Sequence, residues 1–305
     1  MSSIGAQQIR FRCGIAPIGN ADSMRIYVQD TNGGIREVAY DSGHWSRGTE
    51  KDIIGYGVLG SPIAAICRGF KHIRVFYMGA ENMLREACCD AGGSWYDGDL
   101  SKKKVQVAPY SMLSACFLAG TEKLQMRVYF QAMDNTIKEF DYDDNGKGWQ
   151  EMTSQGRALP GTGMACTSFH DSKLRIRLYM QDERNNIFER CYDDGQGWSK
   201  GQFSVRDTVP RTDLSVTSFN RTSIRVYYVD RDNKLKEMGY DGKDWYQGGF
   251  NRPCVPGSQN GAVSFMKSDN VRIHVFFQRG ELVTAVTEWI YEGSWKEGKA
   301  ALPPA

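Results

Sequence analysis

The sequence lacks any apolar stretch long enough to cross a membrane. No run of about eighteen apolar residues occurs among its 305 residues, and the opening MSSIGAQQIRF contains no apolar core of signal-peptide length. We therefore expect no membrane insertion and no signal peptide. The protein is expected to be either cytoplasmic or exported by a non-classical route.

A strong imbalance of charge is also missing. The chain carries 38 lysines and arginines against 36 aspartates and glutamates, which gives a net charge of +2. Proteins that bind nucleic acid or an anionic membrane surface usually present a clear excess of positive charge. We therefore expect no nucleic-acid partner.

Metal-binding and catalytic signatures are equally scarce. There are only four histidines, and the eight cysteines form no CxxC pair, so we expect no metal and no cofactor. Cys67, Cys116 and Cys166 occupy one slot of a repeated pattern, which predicts small buried side chains. No GxSxG elbow, phosphate loop or HExxH motif occurs.

What the sequence does contain is a repeat. An arginine is followed twelve residues later by a glutamate five times, as in MRIYVQD then IREVAYD or IRLYMQD then IFERCYD. An altered sixth copy, IHVFFQ, has histidine in the arginine slot. These slots recur every 48 to 53 residues, at positions 25, 74, 127, 177, 225 and 274. Strand patterns repeating near fifty residues are typical of propeller blades.

Each repeat contains four strand-like runs. A small apolar run comes first, the arginine and glutamate strands then form a hairpin across a polar turn, and a weaker outer strand follows a tryptophan. The sequence therefore predicts an all-β fold, a six-bladed β-propeller with four antiparallel strands per blade. We expect residues 1–305 to form a single domain, with residues 1 to about 12 and 296–305 meeting at the seam of the ring.

The spacing of charged and aromatic residues predicts clefts between blades. Glu37 and Tyr40 are an odd number of residues apart, so they point to opposite faces of the blade. In a ring, the arginine and glutamate of one blade can then share a cleft with the tyrosine of the next. Arginine donors, a carboxylate acceptor and an aromatic wall suit a sugar.

Three other interpretations compete with sugar binding. Each Arg–Glu pair could be only a structural salt bridge on a hairpin. The DxGxxW turns at 143–149 and 193–198 resemble the aspartate box of propeller glycosidases of the sialidase type, although the Ser or Thr expected before the aspartate is absent. A glycosidase also needs one asymmetric catalytic pair. The GH and WD signatures of interaction propellers are missing, and the evenly spread pairs favour a binding protein that is not an enzyme.

The motifs RIYVQD, IGYGVLGSPIAA, ALPGTGMACTSF and ALPPA resemble the fungal fucose-specific lectins of the Aleuria type over essentially the whole chain. The resemblance implies six-bladed propellers that bind L-fucose and fucosylated oligosaccharides or glycoproteins at several inter-blade sites, without metal, as homodimers. It also suggests exposure at a fungal cell or spore surface. By position, the implied ligand-binding residues are Arg25, Glu37, Arg74, Glu86, Tyr142, Arg127, Glu139, Tyr192, Arg177, Glu189, Tyr240, Arg225, Glu237 and Tyr291.

Two clefts depart from this pattern. The first receives Cys89 in place of an aromatic wall, and the sixth combines His274, Glu288 and Tyr40. The repeated tryptophans are further candidates that could line pockets or simply anchor the corners of blades. They are Trp45, Trp95, Trp149, Trp198, Trp245 and Trp295.

Overall fold

The computed structural model describes residues 4–279 and 282–304. Six antiparallel sheets follow one another along the chain, each built from consecutive strands. Blade 1 contains β1 Ile15–Gly19, β2 Ser23–Gln29, β3 Gly34–Asp41, β4 His44–Arg47 and an extra strand, β5 Ile53–Tyr56, paired with β3. Blade 2 contains β6 Ile63–Arg68, β7 His72–Met78, β8 Leu84–Asp90 and β9 Tyr96–Asp97.

The other four blades have four strands each. Blade 3 contains β10 Leu113–Phe117, β11 Gln125–Gln131, β12 Ile137–Asp143 and β13 Gly148–Glu151. Blade 4 contains β14 Met164–His170, β15 Leu174–Gln181, β16 Ile187–Asp193 and β17 Gly197–Val205. Blade 5 contains β18 Leu214–Phe219, β19 Ser223–Val229, β20 Lys234–Asp241 and β21 Trp245–Pro253. Blade 6 contains β22 Asn260–Lys267, β23 Asn270–Gln278, β24 Val286–Tyr291 and β25 Trp295–Glu297.

The helices of the described chain are short. They are α1 Ile4–Gln7, α2 Asp99–Lys102 and two 3-10 turns, Glu50–Asp52 and Ala80–Asn82. None of them is long and apolar enough to span a bilayer.

The innermost strands close the ring. Each of β1, β6, β10, β14, β18 and β22 contacts the innermost strands of the two neighbouring blades, and β22 contacts β1. Small residues such as Ala65, Ala115 and Gly261 line the axial channel between these strands. Small side chains let six strands converge around one axis, so the predicted six-bladed propeller is confirmed.

The polar turns of the central hairpins are held by their own side chains. Asp30 Oδ1 accepts hydrogen bonds from the backbone N–H groups of Asn32 and Gly34, at 2.9 and 2.8 Å. Gly33 and Asn135 adopt positive φ values of 90° and 67° in equivalent turns. Glycine and asparagine tolerate this left-handed region best, which explains why the repeat places them there.

Packing between blades forms the core. Among the described residues, six apolar clusters occur, and each joins residues of two neighbouring blades. Ile176 and Tyr179 belong to blade 4, for example, while Ile224 and Tyr228 belong to blade 5. Tyr179 and Ile224 lie in one cluster. A blade buries its faces only against its neighbours, as in other repeat proteins.

The seam between blades 6 and 1 is closed by both ends of the described chain. Ile9 and Leu302 lie in one buried cluster with Val286. Leu302 and Val286 exchange two backbone hydrogen bonds, of 2.9 and 3.1 Å. The Gln278 side chain also donates to the Arg10 carbonyl at 3.0 Å. Residues 1–3 and 305 of the predicted seam lie outside the described residues.

We predict that Leu302→Ala destabilises the ring. Leu302 is 1% exposed, and truncating a buried leucine costs about 2–5 kcal/mol. The control is Leu59→Ala, because Leu59 is 64% exposed and its truncation removes little buried surface. Urea unfolding of the two variants should show a clear drop in midpoint only for Leu302→Ala. Equal midpoints would mean that Leu302 does not help to hold the seam.

Candidate functional site between the blades

Strand register places each arginine and glutamate on the same face of a blade. In blade 4, Tyr179 pairs directly with Glu189, and Arg177 lies two residues before Tyr179 on β15. Directly opposed residues and residues two apart share a face of an antiparallel sheet. The same register occurs at Tyr27–Glu37, Phe76–Glu86, Tyr129–Glu139, Tyr227–Glu237 and Phe276–Glu288.

The tyrosine and the corner tryptophan lie on the opposite face. Tyr240 pairs directly with Trp245 across β20 and β21. Trp245 meets Tyr179 of the preceding blade edge to face, with ring centroids 6.1 Å apart. Equivalent contacts between a corner tryptophan and the preceding blade occur in the other clefts, at Tyr27–Trp95, Phe76–Trp149, Tyr129–Trp198, Tyr227–Trp295 and Phe276–Trp45.

These two faces meet in six clefts, which we number by the blade that supplies the arginine or His274. Arg177, Glu189, Tyr240 and Trp245 line one cavity of about 430 Å³ in cleft 4. In cleft 2, Arg74, Glu86 and Tyr142 line a cavity of about 140 Å³. The predicted convergence of arginine, glutamate and the next blade's tyrosine is therefore present in clefts 2 and 4.

Trp245 lines the cavity of its cleft, and two other corner tryptophans contact a glutamate carboxylate. Trp149 is 1% exposed and its indole Nε1 donates to Glu86 Oε2 at 3.1 Å. Trp45 Nε1 donates to Glu288 Oε2 at 3.2 Å across the seam. In these two clefts, an indole of one blade therefore helps to hold the carboxylate of the previous blade.

All six glutamate carboxylates are buried, with exposures of 2–5%. Such burial raises the pKa of Glu86, Glu139 and Glu237 above the ordinary value. The carboxylates keep hydrogen-bond donors nearby, because an unpaired buried charge is costly.

Sequence reasoning missed the donors that hold the glutamates. The buried hydroxyls of Tyr27, Tyr179 and Tyr227 donate to Glu37, Glu189 and Glu237 at 2.7–3.0 Å. Burial raises the pKa of these three tyrosines far above the ordinary value, so the hydroxyls remain protonated donors. The signal in the sequence is an aromatic residue two positions after each arginine.

Blades without this tyrosine hydroxyl bond use other donors. Phe76 has no hydroxyl, and Glu86 instead accepts from the backbone N–H of Leu100 at 2.9 Å. Glu139 accepts from the Gln155 amide at 2.7 Å. The buried carboxylate therefore accepts hydrogen bonds from different donors in different blades.

A second missed residue anchors each arginine. Arg177 Nη2 lies 3.0 Å from Asp193, while its Nε lies 3.9 Å from Glu189. Asp41, Asp90 and Asp241 bind Arg25, Arg74 and Arg225 in the same way, four residues after each glutamate. In blade 3 the partner is Asp141, directly opposite Arg127. The Arg–Asp ion pairs fix the guanidinium at the mouth of the cleft.

The structural salt-bridge interpretation is therefore partly right. Four of the five arginines lie within 4 Å of their glutamate, and Arg127 Nε approaches Glu139 Oε1 to 2.9 Å. The Arg127 Nε is completely buried in this contact. A guanidinium carries several N–H donors, so the ion pair leaves others for a ligand.

Clefts 1 and 6 differ from the others, as the sequence indicated. In cleft 1, the half-exposed Arg47 donates to Glu37 at 2.6 Å, and Cys89 packs near Trp95 without an aromatic wall of its own. In cleft 6, His274 Nδ1 lies 2.7 Å from Glu288 Oε1. Tyr40 lies beside Trp45 in the same cleft.

In residues 4–279 and 282–304, no group of three or more His, Cys, Asp or Glu side chains is arranged to hold a metal ion. All eight cysteines are free thiols. Cys116 and Cys166 are buried, as the sequence predicted for this slot of the repeat, and Cys67 is half-buried.

The chain is similar to known proteins in both sequence and structure. The model of the family described as fungal fucose-specific lectin matches residues 9–305. A fucose-specific lectin of Aspergillus fumigatus is 40% identical over 318 residues, covering 100% of both chains.

Two solved structures are similar over almost the whole chain. The SapL1 lectin, in complex with alpha methyl fucoside, has a TM-score of 0.91 and 40% identity, covering 99% of this chain and 100% of that chain. The six-bladed lectin of Aleuria aurantia has a TM-score of 0.84 and 29% identity, covering 96% and 97%.

The outer strand approaches the buried carboxylate so closely that several positions require glycine. A Cβ atom on Gly248 would lie 2.6 Å from Glu237 Cδ, and one on Gly201 would lie 2.7 Å from Glu189 Cδ. Gly98 and Gly298 lie against Glu86 and Glu288 in the same way. Each of these glycines follows a corner tryptophan by three residues.

We predict that Gly248→Ala destabilises the protein by about 1–3 kcal/mol, the usual cost of overpacking. Glu237 cannot retreat without breaking its 2.7 Å bond from Tyr227. Gly249→Ala is the matched control, because a Cβ there would meet only Trp295 at 3.8 Å. Urea unfolding should separate the two variants, and an equal response would show that Glu237 moves freely.

Proposed function

Because the chain belongs to the family of fungal fucose-specific lectins, we propose that it binds L-fucose and fucosylated glycans in its inter-blade clefts, without altering them chemically. The observation that carries this proposal is cleft 4, where Arg177, Glu189, Tyr240 and Trp245 line one cavity. The two solved structures described above are lectins, and one was solved with a fucoside bound.

The chemistry of the cleft matches a sugar. The Arg177 guanidinium offers several N–H donors in one plane, and the Glu189 carboxylate accepts hydrogen bonds from hydroxyl groups. Tyr240 and Trp245 supply an apolar wall for the C–H surface and the methyl group of fucose. A deoxy sugar is both polar and apolar, so it uses all three parts of the cleft.

Cleft 3 adds independent support. The Tyr129 hydroxyl is buried and has no hydrogen-bond partner in the described residues. Buried polar groups are rarely left unsatisfied, because each costs about 1–3 kcal/mol. A sugar hydroxyl that accepts from Tyr129, which lies opposite Glu139, would supply the missing bond.

A glycosidase is less well supported. Retaining and inverting glycosidases need one carboxyl that can donate a proton near neutral pH. In cleft 2 the second carboxyl is Asp90. Burial alone would raise its pKa, but hydrogen bonds from Arg74, Tyr96 and His72 lower the pKa of Asp90 to about 2. An aspartate held in this way is a poor proton donor. Burial raises the pKa of Glu86 in the same cleft, but Glu86 is only 2% exposed and its Oε2 already accepts from Leu100 N–H and Trp149 Nε1.

Several clefts on one rigid ring support multivalent binding. Arginine and glutamate occur together in clefts 1–5, and each cleft lies between a different pair of blades. A surface that presents many fucosylated ends can occupy two or more clefts at once. Such linkage raises apparent affinity by about 10²–10⁴ without any new contact. We propose fucosylated oligosaccharides and glycoproteins as the partners.

We predict that Arg127→Ala removes one fucose site. Charge-assisted hydrogen bonds contribute about 1.5–3 kcal/mol each, so cleft 3 should lose roughly tenfold or more in affinity. Isothermal calorimetry with L-fucose should show the number of sites fall by one. The control is Lys138→Ala, which removes the Lys138–Glu151 pair of the same blade outside the cleft.

The two variants separate binding from a structural salt bridge. Lys138→Ala should keep every site, and both variants should keep the fold. If Arg127→Ala lowers the melting temperature while the number of sites stays unchanged, Arg127 is structural only. If the parent protein gives no heat at millimolar L-fucose, the proposed function is wrong.

We further predict that fucose binding weakens in mild acid while the fold persists. Burial raises the pKa of Glu86, Glu139 and Glu237, so these carboxylates become protonated above the ordinary glutamate pKa of about 4.3. Protonation removes the charge that accepts the sugar hydroxyls. A carboxyl with a raised pKa binds its proton more tightly in the folded state, so this protonation also stabilises the fold.

Calorimetry at several pH values, with melting curves at each, provides the measurement. We expect affinity to fall before the melting temperature does. Glu139→Gln keeps a neutral acceptor and should remove the pH dependence of cleft 3. Constant affinity down to the ordinary glutamate pKa would contradict the prediction.

A further inference from the structure

One cleft position varies between blades although the tryptophan before it is the same in all six. It is the residue that immediately follows the corner tryptophan. Across the sheet, this residue pairs with the one that lies opposite the arginine, or opposite His274 in blade 6. Its side chain therefore stands beside that residue on the cleft face of the blade. We call it the rim residue, and in clefts 1 to 6 it is Ser46, Tyr96, Gln150, Ser199, Tyr246 and Lys296.

The two rim tyrosines close their clefts from the outside. The Tyr96 hydroxyl donates to Asp90, and the Tyr246 hydroxyl donates to Asp241. These aspartates are the ones that anchor Arg74 and Arg225. Each tyrosine is thereby fixed across the cleft mouth.

Tyr246 shows how tightly such a ring is seated. The Arg225 guanidinium carbon lies 5.5 Å from the ring centroid. A Cβ on Gly239 would lie 2.5 Å from the ring, so the ring rests directly on the backbone of β20. Tyr96 and Tyr246 are still 49% and 41% exposed, so their outer faces remain open to solvent.

Cleft 4 has a serine at this position and is much more open. Its cavity of about 430 Å³ lies within the range of about 300–1,000 Å³ typical of small-molecule pockets. The cavity of cleft 2, with Tyr96, is about 140 Å³ and falls below that range. Neither Ser199 nor Gln202, both on the wall of cleft 4, has a side-chain hydrogen bond to another described residue. Both are free to meet hydroxyl groups.

We propose that the rim residue decides how much of a fucosylated glycan each cleft admits. Clefts with a rim serine accept fucose together with the sugar units next to it. Clefts with a rim tyrosine have room for the terminal fucose unit alone. This inference rests on the proposed function and concerns the same clefts. The ligand class for cleft 4 is a branched fucosylated oligosaccharide, whose second ring lies against Ser199 and Gln202.

Cleft 4 also offers a clean place to test the rim residue. In cleft 2 the helix α2 contributes Asp99 and Lys102 to the wall, so Tyr96 is not the only difference. Cleft 4 already has the neighbours that Tyr96 uses. Cys191 lies opposite the rim position as Cys88 does, and Asp193 anchors Arg177 as Asp90 anchors Arg74.

The test compares the parent with Ser199→Tyr, using methyl α-L-fucoside and a branched fucosylated trisaccharide. Calorimetry counts the sites, and crystals soaked with each ligand show which clefts are occupied. In the parent, we expect the trisaccharide to occupy two fewer clefts than the fucoside, with clefts 2 and 5 empty. In Ser199→Tyr, the trisaccharide should lose cleft 4 as well, with at least a tenfold drop in affinity there. The fucoside should still fill cleft 4.

Ser204→Tyr is the matched control, because Ser204 lies on β17 opposite Phe188 and outside the cavity. It should bind both ligands as the parent does. The inference is overturned if Ser199→Tyr still binds the trisaccharide in cleft 4. It is also overturned if the variant loses the fucoside there, because Ser199 would then belong to the fucose pocket itself. A parent that binds no fucoside would instead refute the proposed function.

Discussion

Burial of a glutamate carboxylate between two blades is the constraint on which the clefts depend. The carboxylate lies where apolar packing joins neighbouring sheets, and a buried charge there needs compensation from both sides. In blade 4, Tyr179 supplies a hydroxyl to Glu189 from within the blade, and Arg177 supplies positive charge. Trp245 of the next blade closes the other side. The same arrangement therefore packs the ring and prepares an acceptor at each cleft.

The arginine is held by a different mechanism, which leaves it free to act on a ligand. Its strongest partner is an aspartate at the end of the glutamate strand, such as Asp193 for Arg177. This ion pair fixes the guanidinium near the surface, while Nε still points toward the glutamate at 3.9 Å. A prearranged donor and acceptor lose little conformational freedom on binding, which favours affinity in a small site.

The sequence was sufficient to predict the ring, because the repeat, the turn chemistry and the alternation of faces all follow from local patterns. It also predicted which blade faces meet, as in Arg177 with Tyr240. It could not predict partners that depend on register across a sheet. Cys191 lies opposite Arg177, and Asp193 follows two residues further along the same strand. Gly201 faces Glu189 only because β17 bulges near that position. Arg47 reaches Glu37 through an unusual backbone, with a φ of 62°. No spacing rule gives that contact.

The difference between constrained and unconstrained positions explains why the clefts are similar inside and unlike at the rim. Glu237, Tyr227 and Gly248 touch one another in the interior, so changing any one disturbs the others. Tyr246 lies on the solvent side of these three residues and is 41% exposed. A substitution at the rim leaves the carboxylate satisfied and the blades packed. Repeats with the same interior can therefore carry serine, glutamine, lysine or tyrosine at the rim, which lets one ring present clefts of different size without loss of its core.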